Sequence, residues 1–208
     1  MNDFQLVNPE NPDLCDPSKS QWYLDPALAE RIVEWALSPL AVYQSVLEPS
    51  AGRGHLANAI RGAARPVAIG TPFCVDIDDA NVEHLRAQGF DADCADFLSY
   101  EPEYRFDIAI MNPPFESGQT ERHILHALKH CDRVVCHSPL TTLAGKDRRE
   151  GLWSVAYLKR LVIHSSRPKY SGSLKGGMTD MCTLDVVRRP ELHPLSVAAS
   201  GVEIEWWA

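Results

Sequence analysis

A chain of 208 residues with 45% hydrophobic and 23% charged residues has the balance of a soluble globular protein, long enough to enclose one full-sized core. Its formal net charge of −8 argues against a protein that simply coats nucleic acid, and no apolar run reaches the roughly 20 residues that cross a bilayer. The polar, acidic start is unlike a secretory signal, so a cytoplasmic chain without a membrane partner is expected. In chain order, residues 1–20 are rich in Pro, Asp and Asn and read as an irregular arm. A domain over 21–189 follows, and then a tail, 190–208. Asp25-Pro26 opens the first helix, since Asp caps a helix and Pro suits its first turn. From Ser45 onward short apolar runs alternate with amphipathic ones. "SVLEP" reads as a strand, "GHLANAIRGAA" as a helix, "PFCVDID" as a strand and "DANVEHLRAQ" as a helix. "DADCADF" holds a short strand, and "FDIAIM" is a strand that runs into a proline stop. Then come helix "TERHILHALKH", strand "RVVCHSP", helix "EGLWSVAYLKR", strand "LVIHSS" and strand "MCTLDVVRR". "VEIEWW" in the tail adds an edge strand.

Strands alternating with helices imply an α/β, doubly wound, mostly parallel sheet covered on both faces. The Gly/Ser/Lys loop "RPKYSGSLKGGMTD" suits an antiparallel closing strand. The six cysteines contain no CxxC pair, so buried, reduced thiols are expected rather than a disulfide or zinc framework. His123, His126 and His130 share one helical face, but no carboxylate stands at a matching step, and no metal is expected. Residues 1–110 carry 7 Lys/Arg against 18 Asp/Glu, whereas residues 112–189 carry 13 against 7. Any surface for an anionic substrate is therefore expected in the second half.

In "LEPSAGRGHLANAI", Gly52 and Gly54 follow the first strand and match a dinucleotide-type loop. Backbone N–H groups and the helix dipole at such a loop attract pyrophosphate, which Glu48 would repel. A cofactor with a sulfonium, an ammonium group and no phosphate reverses that sign, and S-adenosylmethionine is one. Glu48 then serves its cationic end, Asp76 its ribose hydroxyls and Asp96 its adenine amine, with Phe97 near the ring. "NPPF", Asn112 to Phe115, ends an apolar strand at the same sheet edge. Two prolines stiffen the turn and hold the residue before them extended. Such a corner offers two acceptors, the Asn112 side-chain oxygen and the Pro113 carbonyl, to a planar amino group. Phe115 offers a face on which its ring can stack. Hydrogen bonds to both N–H bonds favour a pyramidal nitrogen, which needs positioning and electrostatic help rather than a covalent intermediate.

With these motifs the chain resembles the class I S-adenosylmethionine-dependent methyltransferases that methylate amino groups, most of all the N6-adenine DNA methyltransferases, over roughly residues 20–188. "LEPSAGRG" is similar to the family's cofactor loop, "VDID" to its ribose-binding strand end, "ADFL" to its adenine-binding turn and "NPPF" to its catalytic tetrapeptide. "WYLDP" resembles the aromatic-x-Thr-Pro element that closes over the methionine end, with Asp25 in place of Thr. This motif order resembles the gamma arrangement. The resemblance implies a Rossmann-like, seven-stranded sheet with an antiparallel last strand, and S-adenosylmethionine as cofactor. By position it implies Trp22, Tyr23, Asp25, Pro26, Glu48, Pro49, Ser50, Ala51, Gly52, Gly54, Asp76, Ile77, Asp96, Phe97 and Asn112 as cofactor contacts. It likewise implies Asn112, Pro113, Pro114 and Phe115 as the catalytic set.

The large target-recognition domain that gamma-type restriction-modification enzymes carry after the catalytic one is not expected in the short stretch after Arg189, so sequence reading is expected to come from inserts, from a partner, or not at all. Two basic loops are the candidates, through Lys146, Arg148 and Arg149, and through Lys169, Tyr170 and Lys175. A nucleic acid is the expected substrate, DNA ahead of RNA, and a specificity partner or a second copy of the chain stays open. RNA adenine or guanine amines, a protein glutamine amide and a non-catalytic subunit are the alternatives. An NAD-dependent oxidoreductase fits less well, because Glu48 opposes pyrophosphate and NPPF has no role.

Overall fold

The computed structural model describes residues 22–38, 45–63, 70–116, 118–170, 179–189 and 202–207. The expected arm at 1–20, Lys175 and most of the tail lie outside these residues.

Helix α1 (Pro26–Ala36) starts as its sequence dictates: Asp25 caps it by accepting from the Ala27 N–H, and Pro26 occupies the first position. Strands β1 (Val46–Pro49), β2 (Phe73–Asp76), β3 (Ala92–Cys94) and β4 (Phe106–Met111) alternate with helices α2 (His55–Gly62), α3 (Asp79–Ala87) and α4 (Gln119–His130). Beyond them lie β5 (Cys131–Pro139), the short helices α5 (Lys146–Glu150) and α6 (Leu152–Val155), and strands β6 (Ala156–His164), β7 (Met181–Arg188) and β8 (Glu203–Trp207).

The strands form one eight-stranded sheet in the order β3-β2-β1-β4-β5-β7-β6-β8. Only β7 runs antiparallel, against both β5 and β6. The expected seven-stranded sheet is therefore present with one addition, the tail strand β8, which pairs parallel with β6. Trp207 holds β8 in place, packing edge-on against Trp35 of α1 at 6.2 Å.

Alternation along each strand divides the core into two layers, because neighbouring side chains point to opposite faces. Val46, Ile108 and Ile110 pack with Ile32 and Val33 of α1 and with Leu56 and Ile60 of α2. Leu47, Ala109 and Met111 pack on the other face with Ile124, Ala127 and Leu128 of α4. Four of the five described cysteines are buried in this interior, and Cys94 alone is exposed.

One predicted helix is overturned. Of "EGLWSVAYLKR", Glu150 ends α5, Leu152–Val155 forms the single turn of α6, and from Ala156 onward the chain is strand β6. Lys159 and Arg160 look like the polar face of a helix. In the strand a register shift between Leu158 and Arg160 turns Arg160 inward, where its Nε donates to Asp185 Oδ2 at 2.6 Å. Arg133 binds the same carboxylate at 2.7 and 2.9 Å. Two of the basic residues counted towards a surface for an anionic substrate are thus spent inside the sheet, paired across β5, β7 and β6.

The order in which strands are added switches sides between β1 and β4, which are parallel neighbours in the sheet while β2 and β3 lie on the far side of β1. In open parallel sheets a crevice opens at this point beyond the carboxyl ends of the strands.

Candidate active site

That crevice is a cleft of about 490 Å³, a size suited to a small-molecule cofactor. Its floor is the turn after β1. Ser50 has φ +59°, a left-handed conformation that costs a non-glycine residue about 1–3 kcal/mol. Gly52 has φ +55°, and its N–H donates to Asp76 Oδ2 at 2.7 Å. The Tyr23 ring lies directly on Gly52: a Cβ there would stand 2.8 Å from Tyr23 Cε1. Glycine is required both by the turn and by this close approach. Gly52→Ala is expected to lower stability by about 1–2 kcal/mol in a urea titration, the cost of a left-handed L-residue. Gly62→Ala, where a Cβ meets nothing within 4 Å, is expected to be neutral or stabilising.

Asp76, at the end of β2, ties the floor to its neighbours. Besides Gly52 it accepts from the Asp78 N–H at 2.9 Å and from Asn81 Nδ2 at 3.2 Å. Asn81 Oδ1 accepts in turn from the Tyr23 hydroxyl at 3.4 Å. Glu48 lies on the cleft wall yet is only 2% exposed. Burial pushes its carboxyl well above the ordinary carboxylate range, the nearby Asp76 charge adds to this, and a hydrogen bond with the Ala57 backbone opposes it. Among the described residues no cationic side chain helps to hold it ionised. Glu48 and Asp76 thus face the same cleft.

Ile77 projects into solvent beside the cleft. Asp96 follows β3 and caps the turn at Phe97–Ser99, accepting from the Leu98 N–H at 3.0 Å. Phe97 is buried behind it and stacks on His123 of α4, with ring centroids 5.7 Å apart.

After Met111 the chain enters the Asn-Pro-Pro-Phe turn. Asn112 Nδ2 donates to the Trp22 carbonyl at 2.6 Å. Its Oδ1 is buried and has no hydrogen-bond partner among the described residues. The opposite amide orientation would put two oxygens 2.6 Å apart, so the donor side is committed and the acceptor is left over. An unmet buried acceptor costs about 1–3 kcal/mol. Pro113 and Pro114 also line the cleft, and the Pro114 carbonyl accepts from Thr120 Oγ1 at 3.1 Å.

Residues 22–24 join the two halves of the site. Tyr23 covers the glycine turn, the Trp22 carbonyl holds Asn112, and Leu24 pairs with Tyr170 in an antiparallel bridge.

Of the residues singled out in the sequence, Trp22, Tyr23, Glu48, Ser50, Ala51, Gly52, Asp76, Ile77, Asp96, Phe97, Asn112, Pro113 and Pro114 meet around this cleft. Asp25, Pro26, Pro49, Gly54 and Phe115 are not on its wall. Asp25 and Pro26 start α1, and Phe115 packs behind the turn, 6.1 Å from His137 and 6.2 Å from Tyr170 between ring centroids. The basic residues also stand outside the cleft. Arg148 pairs with Glu121 of α4, Arg149 pairs with Glu150 at 2.8 Å, Lys146 begins α5, and Lys169 is exposed. The Arg148–Glu121 pair sets α5 beside the helix whose Gln119, Arg122 and His123 form one cleft wall.

Gln119 and Arg122, with Arg53, His55 and Asn81, are not singled out by the sequence, and His123 is singled out there only for the histidine face of α4. His55 follows the glycine turn directly and was within reach of it. The α4 residues carry no local signal, since only the sheet brings that helix to the cleft. Burial lowers the pKa of His123 from its ordinary 6.5, which leaves a neutral imidazole facing the cleft at neutral pH.

No protein-family model and no curated protein sequence matches the chain. Solved structures share its fold. A Pyrococcus horikoshii protein assigned as an RNA methyltransferase is 18% identical, with a TM-score of 0.64 over 91% of this chain and 95% of that one. A type I restriction-modification system methyltransferase subunit from Streptococcus thermophilus is 15% identical, with a TM-score of 0.62 over 82% of this chain, which spans only 45% of the subunit. An S-adenosylmethionine-dependent methyltransferase from Clostridium acetobutylicum is 12% identical, with a TM-score of 0.56 over 79% of this chain and 92% of that one. The fold is that of the class I methyltransferases.

Proposed function

We propose that the chain is an S-adenosylmethionine-dependent N-methyltransferase that acts on the exocyclic amino group of a base, with adenine N6 in DNA as the leading substrate. The observation that carries this reading is the buried Oδ1 of Asn112, which has no hydrogen-bond partner among the described residues, on the wall of a cleft that also holds the buried acid Glu48.

The residues present fit that cofactor. Glu48 is a desolvated acid in a cleft, and a ligand with positive charge relieves the cost of ionising it. Gly52 leaves no room for a side chain under Tyr23, so backbone and ring together form the cradle. Ile77 and the Asp96–Phe97 turn give an apolar surface beside an acceptor, which suits an adenine ring with its amine. When bound, the cofactor supplies an electrophilic methyl group.

The chain itself positions the substrate and stabilises charge. Asn112 Oδ1 accepts one hydrogen of the base's amine and the Pro113 carbonyl accepts the other. Both acceptors are held before the substrate arrives, Asn112 by the Trp22 carbonyl and the turn by Thr120. Positive charge growing on the nitrogen is met by oxygens that need no reorganisation, where preorganised groups act most strongly. No general base has to act first, because the nitrogen becomes acidic once it carries the new methyl.

The substrate's backbone then runs outside the cleft, past α5 with Lys146 and Arg149. Arg149→Gln is expected to weaken binding about equally for all sequences and to reduce the salt dependence by about one phosphate contact. Filter binding at several salt concentrations measures both. RNA is the second reading, favoured by the likeness to the Pyrococcus horikoshii protein over nearly its whole length. Incubation with labelled S-adenosylmethionine and duplex DNA, single-stranded DNA or total RNA, followed by digestion to nucleosides, separates these readings. Label in N6-methyladenine supports the proposal, and label on a ring carbon or a ribose oxygen refutes it.

A further inference from the structure

The histidine face of α4 was read in the sequence as lacking a carboxylate, and the fold supplies one. Glu101, from the segment that follows the Phe97–Ser99 turn, comes to His126 and His130, and one donor atom from each residue lies within 4.8 Å of the others. His126 and His130 are one helical turn apart, so their rings share a face, with centroids 4.8 Å apart.

We propose that Glu101, His126 and His130 form a binding site for a divalent transition-metal ion of the zinc type. His126 Nε2 lies 2.8 Å from the Tyr100 carbonyl, to which it donates, and this fixes the tautomer and leaves Nδ1 with a lone pair. Metal-binding histidines are held in this way, with one ring nitrogen on a backbone carbonyl and the other on the ion. His130 Nε2 is buried and makes no hydrogen bond among the described residues. It stands 3.5 Å from Glu101 Oε2. Tetrahedral zinc with bonds of about 2.0–2.1 Å needs donors about 3.3 Å apart, so this pair is already close to the required spacing. Glu101 is exposed and can swing to complete the set. Two imidazoles and one carboxylate select zinc, cobalt or nickel over magnesium and calcium, which prefer oxygen ligands.

The site stands apart from the cleft residues of α4, one to two turns farther along the helix. Occupation would tie the segment after Phe97 to α4, and Phe97 already packs between His123 and His126. The inference does not depend on the methyltransferase reading.

The test uses the full chain, kept reduced, with Zn²⁺ in calorimetry and thermal denaturation and Co²⁺ in absorption spectroscopy. Wild-type protein is expected to bind one ion at micromolar or lower concentration, to melt several degrees higher with Zn²⁺ but not with Mg²⁺, and to show visible cobalt bands without a thiolate band. Glu101→Gln, at an exposed position, and His130→Ala are each expected to weaken binding tenfold or more. Unchanged affinity in both variants, a strong cobalt–thiolate band, or no binding up to millimolar Zn²⁺ overturns the site.

Discussion

Asn112→Ala is expected to slow methyl transfer by about 10²–10³-fold, the usual loss when one preorganised group that meets transition-state charge is removed. Cofactor affinity is expected to change little. The two effects separate because the side chain has two ends. Its Nδ2 serves the fold through the Trp22 carbonyl, whereas its Oδ1 has no partner among the described residues. Losing the first is worth about 1 kcal/mol of stability, visible as a small drop in melting temperature. Losing the second removes an acceptor that only a substrate can use. Single-turnover transfer, alongside calorimetric titration of the cofactor, reads the two ends independently. A variant with near-normal transfer removes Asn112 from the chemistry, and one that loses cofactor binding to the same extent as transfer makes it a structural residue.

Glu48→Gln is expected to act in opposite directions on stability and on binding. The fold raises the carboxyl's pKa well above its ordinary 4.5, so the folded chain holds a proton that the unfolded chain releases near that value. The group's contribution to stability is complete below 4.5 and is lost as pH rises through the elevated folded value. The glutamine variant has no proton to lose. It should melt higher than wild type at pH 8, with the difference shrinking as pH falls towards 4.5. Each 1 kcal/mol relieved corresponds to about 2–4 °C in a chain of this size. Cofactor binding should weaken by about 1.5–3 kcal/mol, roughly 10- to 150-fold, because a charge-assisted contact is lost. At a pH between the ordinary value and the raised folded one, wild-type binding should also release a proton, which calorimetry in buffers of different ionisation enthalpy detects. A variant that binds as tightly as wild type shows that Glu48 does not meet the cationic end.

The parts of the site legible in the sequence are those made by one strand and the turn that follows it. Glu48, Ser50 to Gly52, Asp76-Ile77, Asp96-Phe97 and Asn112 to Pro114 each sit at the carboxyl end of a strand, and a parallel sheet gathers such ends into one crevice. Parts that depend on packing between distant segments were not legible. Arg160 looked like the outer face of a helix because its partner, Asp185, belongs to another strand. Arg133 counted as surface charge for the same reason. Glu101 stands at no helical step from His126 or His130, and only the fold makes it their neighbour. The wall residues Gln119, Arg122 and His123 depend on where α4 docks. The eighth strand followed from a short apolar alternation in the tail, yet its parallel pairing with β6 and the contact of Trp207 with Trp35 join segments distant in the chain.

The central claim concerns where one oxygen points and what it meets. A crystal structure with S-adenosylhomocysteine and an adenine-containing oligonucleotide measures it directly. The account predicts the adenine amino nitrogen within hydrogen-bond distance of Asn112 Oδ1 and the Pro113 carbonyl, with Nδ2 still on Trp22. An amine bound elsewhere in the cleft, or an Oδ1 satisfied by the protein's own groups in that complex, would contradict it.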